Sequence, residues 1–177
     1  TPRIYTDASL VEGQSFALQD AQAKYLTRVM RLSAGATVRV FNGRDGEWRC
    51  LLGFGGKRAS LIPAAQIREQ HIGPDLTLIF APVKKTRTDF IVEKATELGA
   101  RQIQPVITDY PAAQRVRTDR MRVLASEAAE QTERMDLPEI VEPQPLTKLL
   151  ASWNTAKPLI YCDENGAAAP LEDRKSA

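Results

Sequence analysis

The sequence predicts a chain in two parts: a small, mostly antiparallel β domain over residues 1–73, then an α/β domain on a parallel sheet over residues 74–177. Three observations carry that prediction. Residues 37–41 and 48–52 are strand-like runs separated by Asn42-Gly43 and Asp45-Gly46, which is hairpin chemistry. His71-Ile72-Gly73-Pro74 then punctuates the chain, and beyond it short alternation gives way to apolar runs spaced by helical stretches. Finally, KKTRTDFIVEKATELGARQIQP, from Lys84 to Pro105, joins the end of one apolar run to the start of the next through a helix.

In the first part, Arg3, Ile4 and Tyr5 start a strand and residues 15–18 supply a second. Asp20 is placed to cap a helix, DAQAKYLTRVMRL, whose apolar side is Tyr25, Leu26, Val29 and Met30. Arg28 and Arg31 stand i, i+3 on its flank, a position that suits a solvated helix end as well as it suits RNA. After the hairpin, residues 59–62 give a further strand, and Arg39, Arg44, Arg49, Lys57 and Arg58 make a basic face. No helix follows Gly53, Gly55 and Gly56, so they read as bulges or a loose turn, not a phosphate loop. Residues 1–73 hold 10 Lys and Arg against 6 Asp and Glu, a net of +4, while residues 74–177 hold 14 against 16, a net of −2. A polyanion is therefore expected on the first part.

In the second part, Leu76, Leu78, Ile79, Phe80 and Val83 suit a strand buried on both faces. Thr88 or Asp89 caps the next helix, Ile91, Ala95 and Leu98 at i, i+4, i+7 form its buried stripe, and Gly99 ends it. Ile103, Val106 and Ile107 give the following strand, and the short connections make a parallel crossover economical. Ligands of such sheets sit outside the carboxyl ends of the strands, so residues 82–87 are the first place to look for function. Residues 108–117 form a polar, basic loop. Thr118 or Asp119 then caps a helix that buries Met121, Leu124 and Ala128, while Ala125, Ala128 and Ala129 are small enough to admit another helix or a partner subunit. Glu127, Gln131 and Arg134 fall on an adjoining line, and Glu130 and Arg134 are spaced for a surface ion pair. Residues 138–141 give a short strand, 146–153 a helix and 158–162 a last apolar strand, with Asp163 and Glu164 turning out at its carboxyl end.

Several classes of function are excluded or disfavoured. The one histidine, His71, rules out a catalytic triad, a His-based metal site or a His general base built within this chain. No GxGxxG or GxxxxGK[ST] follows a strand, against a dinucleotide or P-loop enzyme. Cys50 and Cys162 belong to no CxxC or Cys/His cluster and read as reduced thiols of a cytoplasmic protein. No apolar run reaches the length of a membrane span, and TPRIYTDASL lacks a basic-then-apolar leader, so neither membrane nor export is expected.

Two segments, KKTRTDFIVEKATELGARQIQPVITD and EAAEQTERMDLPEIVEP, resemble the ribosomal RNA small subunit methyltransferase E family, the uridine-N3 methyltransferases of the SPOUT superfamily. PRIY and YLTRVMRLSAGATVRVFNGRDGEW are similar to that family's PUA-like RNA-binding domain. The resemblance implies an α+β PUA-like β-barrel domain followed by an α/β SPOUT domain of trefoil-knot type. It also implies S-adenosylmethionine as methyl donor, a uridine N3 of 16S ribosomal RNA in the small ribosomal subunit as acceptor, and a homodimer. Matching positions are Lys94, Glu97 and Gly99 in the first motif, Glu127, Gln131, Arg134 and Pro138 in the second, and Arg3, Arg28 and Arg31 in the N-terminal domain. Arg87, Glu97 and Arg134 are expected to be catalytic, the arginines stabilising a deprotonated uridine and Glu97 taking its proton; Asp163 and Glu164 are expected to bind the cofactor, and Arg3, Arg28, Arg31, Arg44 and Lys84 to bind RNA. Lys94, Glu97, Glu127, Gln131 and Arg134 read equally as a polar network locking two helices or a dimer. Two departures stand out. The family's GPEGG and LGxRxLRxET-like segments, which build the knot and most of the cofactor cradle, are not in these 177 residues, so the knot segment is expected to be missing and the activity of a chain ending at Ala177 to be impaired. Glu133 stands where relatives often carry glycine. The competing expectation is a non-catalytic protein that binds RNA through its basic first domain.

Overall fold

The computed structural model describes residues 1–55, 58–109 and 116–162. Strands β1 (Arg3–Tyr5), β2 (Phe16–Ala17), β3 (Thr37–Phe41), β4 (Glu47–Gly55) and β5 (Arg58–Arg68) form one sheet in the order β1-β3-β4-β5-β2. Only β1 and β3 run parallel. Alternation along β3, β4 and β5 sends Val38, Val40, Cys50, Leu52, Ala59 and Leu61 to one side, where Ile4 of β1 and Phe16 of β2 also pack. The two edge strands thus share one core, and the sheet curls around it. Burial pushes the Cys50 thiol up to about 12, which makes it an inert core residue.

The hairpin turn is held from within. The Asn42 side-chain oxygen accepts from the Arg44 and Asp45 amides, and its Nδ2 donates to the Ala8 carbonyl and to Asp45. Gly46 has φ +78, and a Cβ there would stand 2.3 Å from the Arg68 carbonyl oxygen, so only glycine fits.

The expected helix over residues 20–32 is shorter and differently wound. Helix α1 (Asp20–Lys24) follows Gln19, which makes no side-chain cap bond, and passes into a π-helical turn (Tyr25–Val29). Leu26 is fully buried, whereas Tyr25, Val29 and Met30 are exposed.

The second half orders as β6 (Thr77–Phe80), α2 (Lys85–Glu97), β7 (Gln102–Ile107), α3 (Thr118–Gln131), β8 (Glu139–Ile140), β9 (Gln144–Pro145) and α4 (Leu146–Ala151). All its described pairings are parallel, as expected. β8 pairs with β7 at Gln102 and Ile103, and β9 at Val106 and Ile107. Pro143 lacks the amide a continuous ladder needs, and the Gln104 side chain bridges the interruption by donating to the Glu142 carbonyl. Helices α2 and α3 share a core with Ile103 and Ile140.

Several local expectations are corrected. Among the described residues β6 pairs with β7 alone, so it stands at the sheet's edge and is only half-buried. α2 starts one turn earlier than a Thr88 cap would allow; Thr88 instead lies in the first turn and its hydroxyl exchanges bonds with the Val83 amide and carbonyl. The buried stripe of α2 is Thr88, Val92, Ala95 and Thr96, and Leu98 is 79% exposed. Thr96 tolerates this burial because its hydroxyl donates to the Val92 carbonyl. Gly99, with φ +88, ends α2 as expected. α3 buries Met121 and Ala128, but Leu124 is only partly covered, and Ala125 and Ala129 complete the stripe against α2 and β1. Residues 158–162 form no strand: Leu159, Ile160, Tyr161 and Cys162 are exposed.

Candidate functional site

Arginine dominates the junction between the two halves. Glu47, fully buried at the start of β4, is ion-paired at 2.7 Å with Arg3, 2.9 Å with Arg39 and 3.2 Å with Arg68. Burial works to raise the Glu47 carboxyl, but bonds and charge from Arg39 and Arg3 overcome it and hold the group below its ordinary value. Arg3 reaches on into the second half: Nη1 donates to the carbonyls of Ala129 and Thr132 at 2.5 and 2.8 Å, and Nη2 to that of Arg134 at 2.6 Å. These carbonyls lie at and just beyond the carboxyl end of α3, where helix geometry leaves acceptors unpaired and the dipole favours a cation. The guanidinium also lies over the Phe41 ring, 3.9 Å from its centroid.

Glu133 explains its own departure from glycine. It pairs with Arg39 at 2.9 Å and Arg68 at 2.6 Å, so it ties the loop after α3 to β3 and β5. Arg134 does the same for α2, with Nη1 donating to the Thr96 carbonyl at 2.8 Å while Nε binds Asp136 at 2.7 Å. Glu130 faces β1, accepting from the Tyr5 amide at 3.0 Å, and burial raises its carboxyl. The expected Glu130–Arg134 pair is therefore replaced by two separate contacts. Arg134 lies beyond the last turn of α3 and shares no helical line with Glu127 and Gln131.

A cleft of about 400 Å³ opens at this junction, lined by the 71–74 connector, Arg68, Glu97, Arg101, Glu133, Arg134 and Asp136. It brings Glu97 and Arg134 together but leaves Arg87 out. Glu97 ends α2 and Arg87 is in its first turn, ten residues and so about 15 Å along the helix. The expected catalytic trio is thus not one constellation. Glu97 is held by Lys94 at 2.7 Å, and most of the cleft's other charges are paired: Arg68 with Glu133, Arg134 with Asp136. The cleft is a wall of ion pairs at the end of the sheet where α2 returns to β7, opposite the carboxyl end of β6.

Arg3 is likewise corrected as an RNA contact, since its side chain is 6% exposed and fully engaged by Glu47 and α3. Arg28, Arg31, Arg44, Lys84 and Arg87 are exposed. Lys84 and Arg87 stand at the carboxyl end of β6, the position expected for a ligand. The Arg44 guanidinium donates to the Asp7 carbonyl at 3.0 Å. Lys57, Asp163 and Glu164 lie outside the described residues. Sequence reasoning missed Glu47 and Arg68. The bulges between Glu47/Trp48 and Arg49/Cys50 shift the phase of β4, so a carboxylate two residues from exposed Arg49 turns inward.

Two family models match the chain in succession: an RNA methyltransferase PUA domain at residues 18–62 and an RNA methyltransferase domain at residues 70–176. The ribosomal RNA small subunit methyltransferase E of Rickettsia conorii is 30% identical over 165 residues, covering 92% of this chain and 67% of the relative. The chain belongs to the ribosomal RNA small subunit methyltransferase E family. The Synechocystis member is 31% identical over 128 residues, 71% of this chain and 42% of its own length. Among solved structures, the Neisseria gonorrhoeae member, bound to S-adenosyl methionine, superposes with a TM-score of 0.78 at 25% identity, covering 87% of this chain and 66% of that one. A Legionella pneumophila methyltransferase with bound cofactor shares the fold, with a TM-score of 0.75 at 23% identity over 86% of this chain and 66% of its own. The chain thus spans about two thirds of the length of the Rickettsia, Neisseria and Legionella proteins, and 42% of the Synechocystis one. The architecture is that of the family: a PUA domain followed by a SPOUT methyltransferase domain. No described helix is long and apolar enough to cross a membrane.

Proposed function

We propose that this chain is the RNA-holding and sheet-forming part of an enzyme that methylates the N3 of one uridine in 16S ribosomal RNA, with S-adenosylmethionine as donor. The observation that carries the reading is the 30% identity to the Rickettsia conorii enzyme along 92% of the chain. In this reading residues 1–73 are the RNA-binding domain and residues 74–177 the start of the methyltransferase domain, working as a homodimer on the small ribosomal subunit in the cytoplasm.

The cofactor supplies an activated methyl on a sulfonium. The described cleft does not fit it, because its charges are largely engaged with one another and it lies away from the carboxyl ends of the strands. The cofactor contacts proposed from the sequence are Asp163 and Glu164. Exposed Lys84 and Arg87 at the carboxyl end of β6 are proposed to face the target base, Arg87 stabilising the uridine ring once its N3 proton has left. Arg28, Arg31 and Arg44 are proposed to hold the phosphate backbone. Glu97 and Arg134 are proposed to act as fasteners of α2, not as proton carriers.

The test is transfer of labelled methyl from S-adenosylmethionine by the full-length protein to 16S ribosomal RNA or small subunits, followed by nucleoside digestion. Label in 3-methyluridine is expected. Label in another nucleoside, or RNA binding with no transfer, overturns the reading.

A further inference from the structure

The π-helical turn after α1 carries three features that the fold alone does not require. The Met30 amide bonds the Tyr25 carbonyl at 2.9 Å, the five-residue closure that widens the helix. Such turns recur at functional positions. The Leu32 amide then bonds the Leu26 carbonyl at 3.0 Å, and Arg31 at this helix end has φ 52, a place glycine normally takes. A left-handed arginine is strained, and such strain gathers where a side chain must be aimed.

The third feature is what the turn displays. Of its four large apolar residues only Leu26 enters the core; Tyr25 is 40%, Val29 69% and Met30 41% exposed. Tyr25 and Val29 lie about one turn apart. Lys24, Arg28 and Arg31 are exposed around them, and no described residue pairs with Arg28 or Arg31. No Asp or Glu occurs between Asp20 and Asp45 in sequence, so the turn carries cations alone.

We propose that this turn is a stacking platform for an unpaired base, with Tyr25 as the face on which the base lies and Arg28 and Arg31 as clamps on the flanking phosphates. It follows that the first domain reads a single-stranded or looped segment of RNA, not a regular duplex. A duplex offers phosphates to the arginines but hides the faces of its bases from a tyrosine ring. Val29 and Met30 extend the apolar floor beside the ring. The inference rests on the RNA-binding part of the proposed function and adds the class of RNA structure and the residue that recognises it.

The experiment measures binding of the full-length protein to a short labelled single-stranded RNA and to a duplex of the same length, across a salt series. The unaltered protein should prefer the single strand. Tyr25→Ala should weaken single-strand binding roughly 5- to 150-fold, the range for losing one stacked base, and leave the salt slope unchanged. Tyr25→Phe should bind within about twofold of the unaltered protein, since the ring and not the hydroxyl does the stacking. Arg28→Ala should instead flatten the single-strand salt slope by about 0.7 unit. Equal affinity of Tyr25→Ala and the unaltered protein, a preference for duplex, or a Tyr25→Phe loss as large as that of alanine would each overturn the platform. If methyl is transferred while Tyr25→Ala binds normally, the platform falls and the reaction stands; if Tyr25 governs binding but no methyl moves, the reverse holds.

Discussion

Arginine is used in two opposite ways in this molecule. At the junction, Arg3, Arg39 and Arg68 gather on Glu47 and reach across to the second half, Arg39 and Arg68 to Glu133 and Arg3 to the carbonyls at the end of α3, while Arg134 is spent within the second half on Asp136 and the Thr96 carbonyl. On the π-helical turn, Arg28 and Arg31 stand in solvent with no acidic neighbour in sequence. One set spends its charge inside the protein, and the other leaves it in solvent. Charge count treats the two alike; geometry separates them. The lesson is that the net of +4 in residues 1–73 is not the measure of an RNA surface, since three of its ten cations serve the clamp.

Substitutions can break that contrast, and the largest effect is expected at Arg3. Arg3→Ala leaves Glu47 short of a partner and the carbonyls at the end of α3 unsatisfied, so unfolding by urea should show a loss of about 3–5 kcal/mol. Next comes acid. The Glu47 carboxyl lies below its unfolded value, so its contribution is present above an unfolded pKa of about 4.3 and is lost as pH falls through the lower folded value. Glu130 has the opposite sign: burial raises its folded value, so its contribution is present below an unfolded pKa of about 4.3 and is lost as pH rises through the higher folded value. Thermal melts between pH 3 and 7, a range of roughly four units around those values, should lose the acid-side fall in Glu47→Gln and the weak opposing trend in Glu130→Gln.

A smaller effect is expected at Glu133, whose side chain is 69% exposed. Glu133→Ala should cost less than about 1 kcal/mol by the same urea measurement, because water screens that pair. At Lys94 and Glu97, a half-buried i, i+3 pair, Glu97→Gln should leave the melting temperature nearly unchanged, and a large shift would show that Glu97 does more than fasten its neighbour.

Legibility followed the same division. Turn chemistry at Asn42-Gly43 and Asp45-Gly46 marked the hairpin, Gly99 marked the end of α2, and the short links around that helix marked a parallel pair. These are local signals. What stayed hidden needed a partner to be known. Hydrophobic periodicity put Ile91 and Leu98 inside α2, but Thr88 and Thr96 go there because each hydroxyl finds a backbone partner. Alternation could not find Glu47, since bulges reset the phase of β4. The helix expected between Thr88 and Gly99 already set Arg87 and Glu97 at its opposite ends, but only the fold shows that Arg134 joins Glu97.

The most direct test of the contrast is RNA binding and stability measured together on Arg28→Ala/Arg31→Ala in the full-length protein. The account predicts weaker binding to single-stranded RNA, a salt slope shallower by about 1.4 units, and an unchanged urea midpoint. Unchanged RNA affinity, or a fall in stability like that of Arg3→Ala, would contradict it.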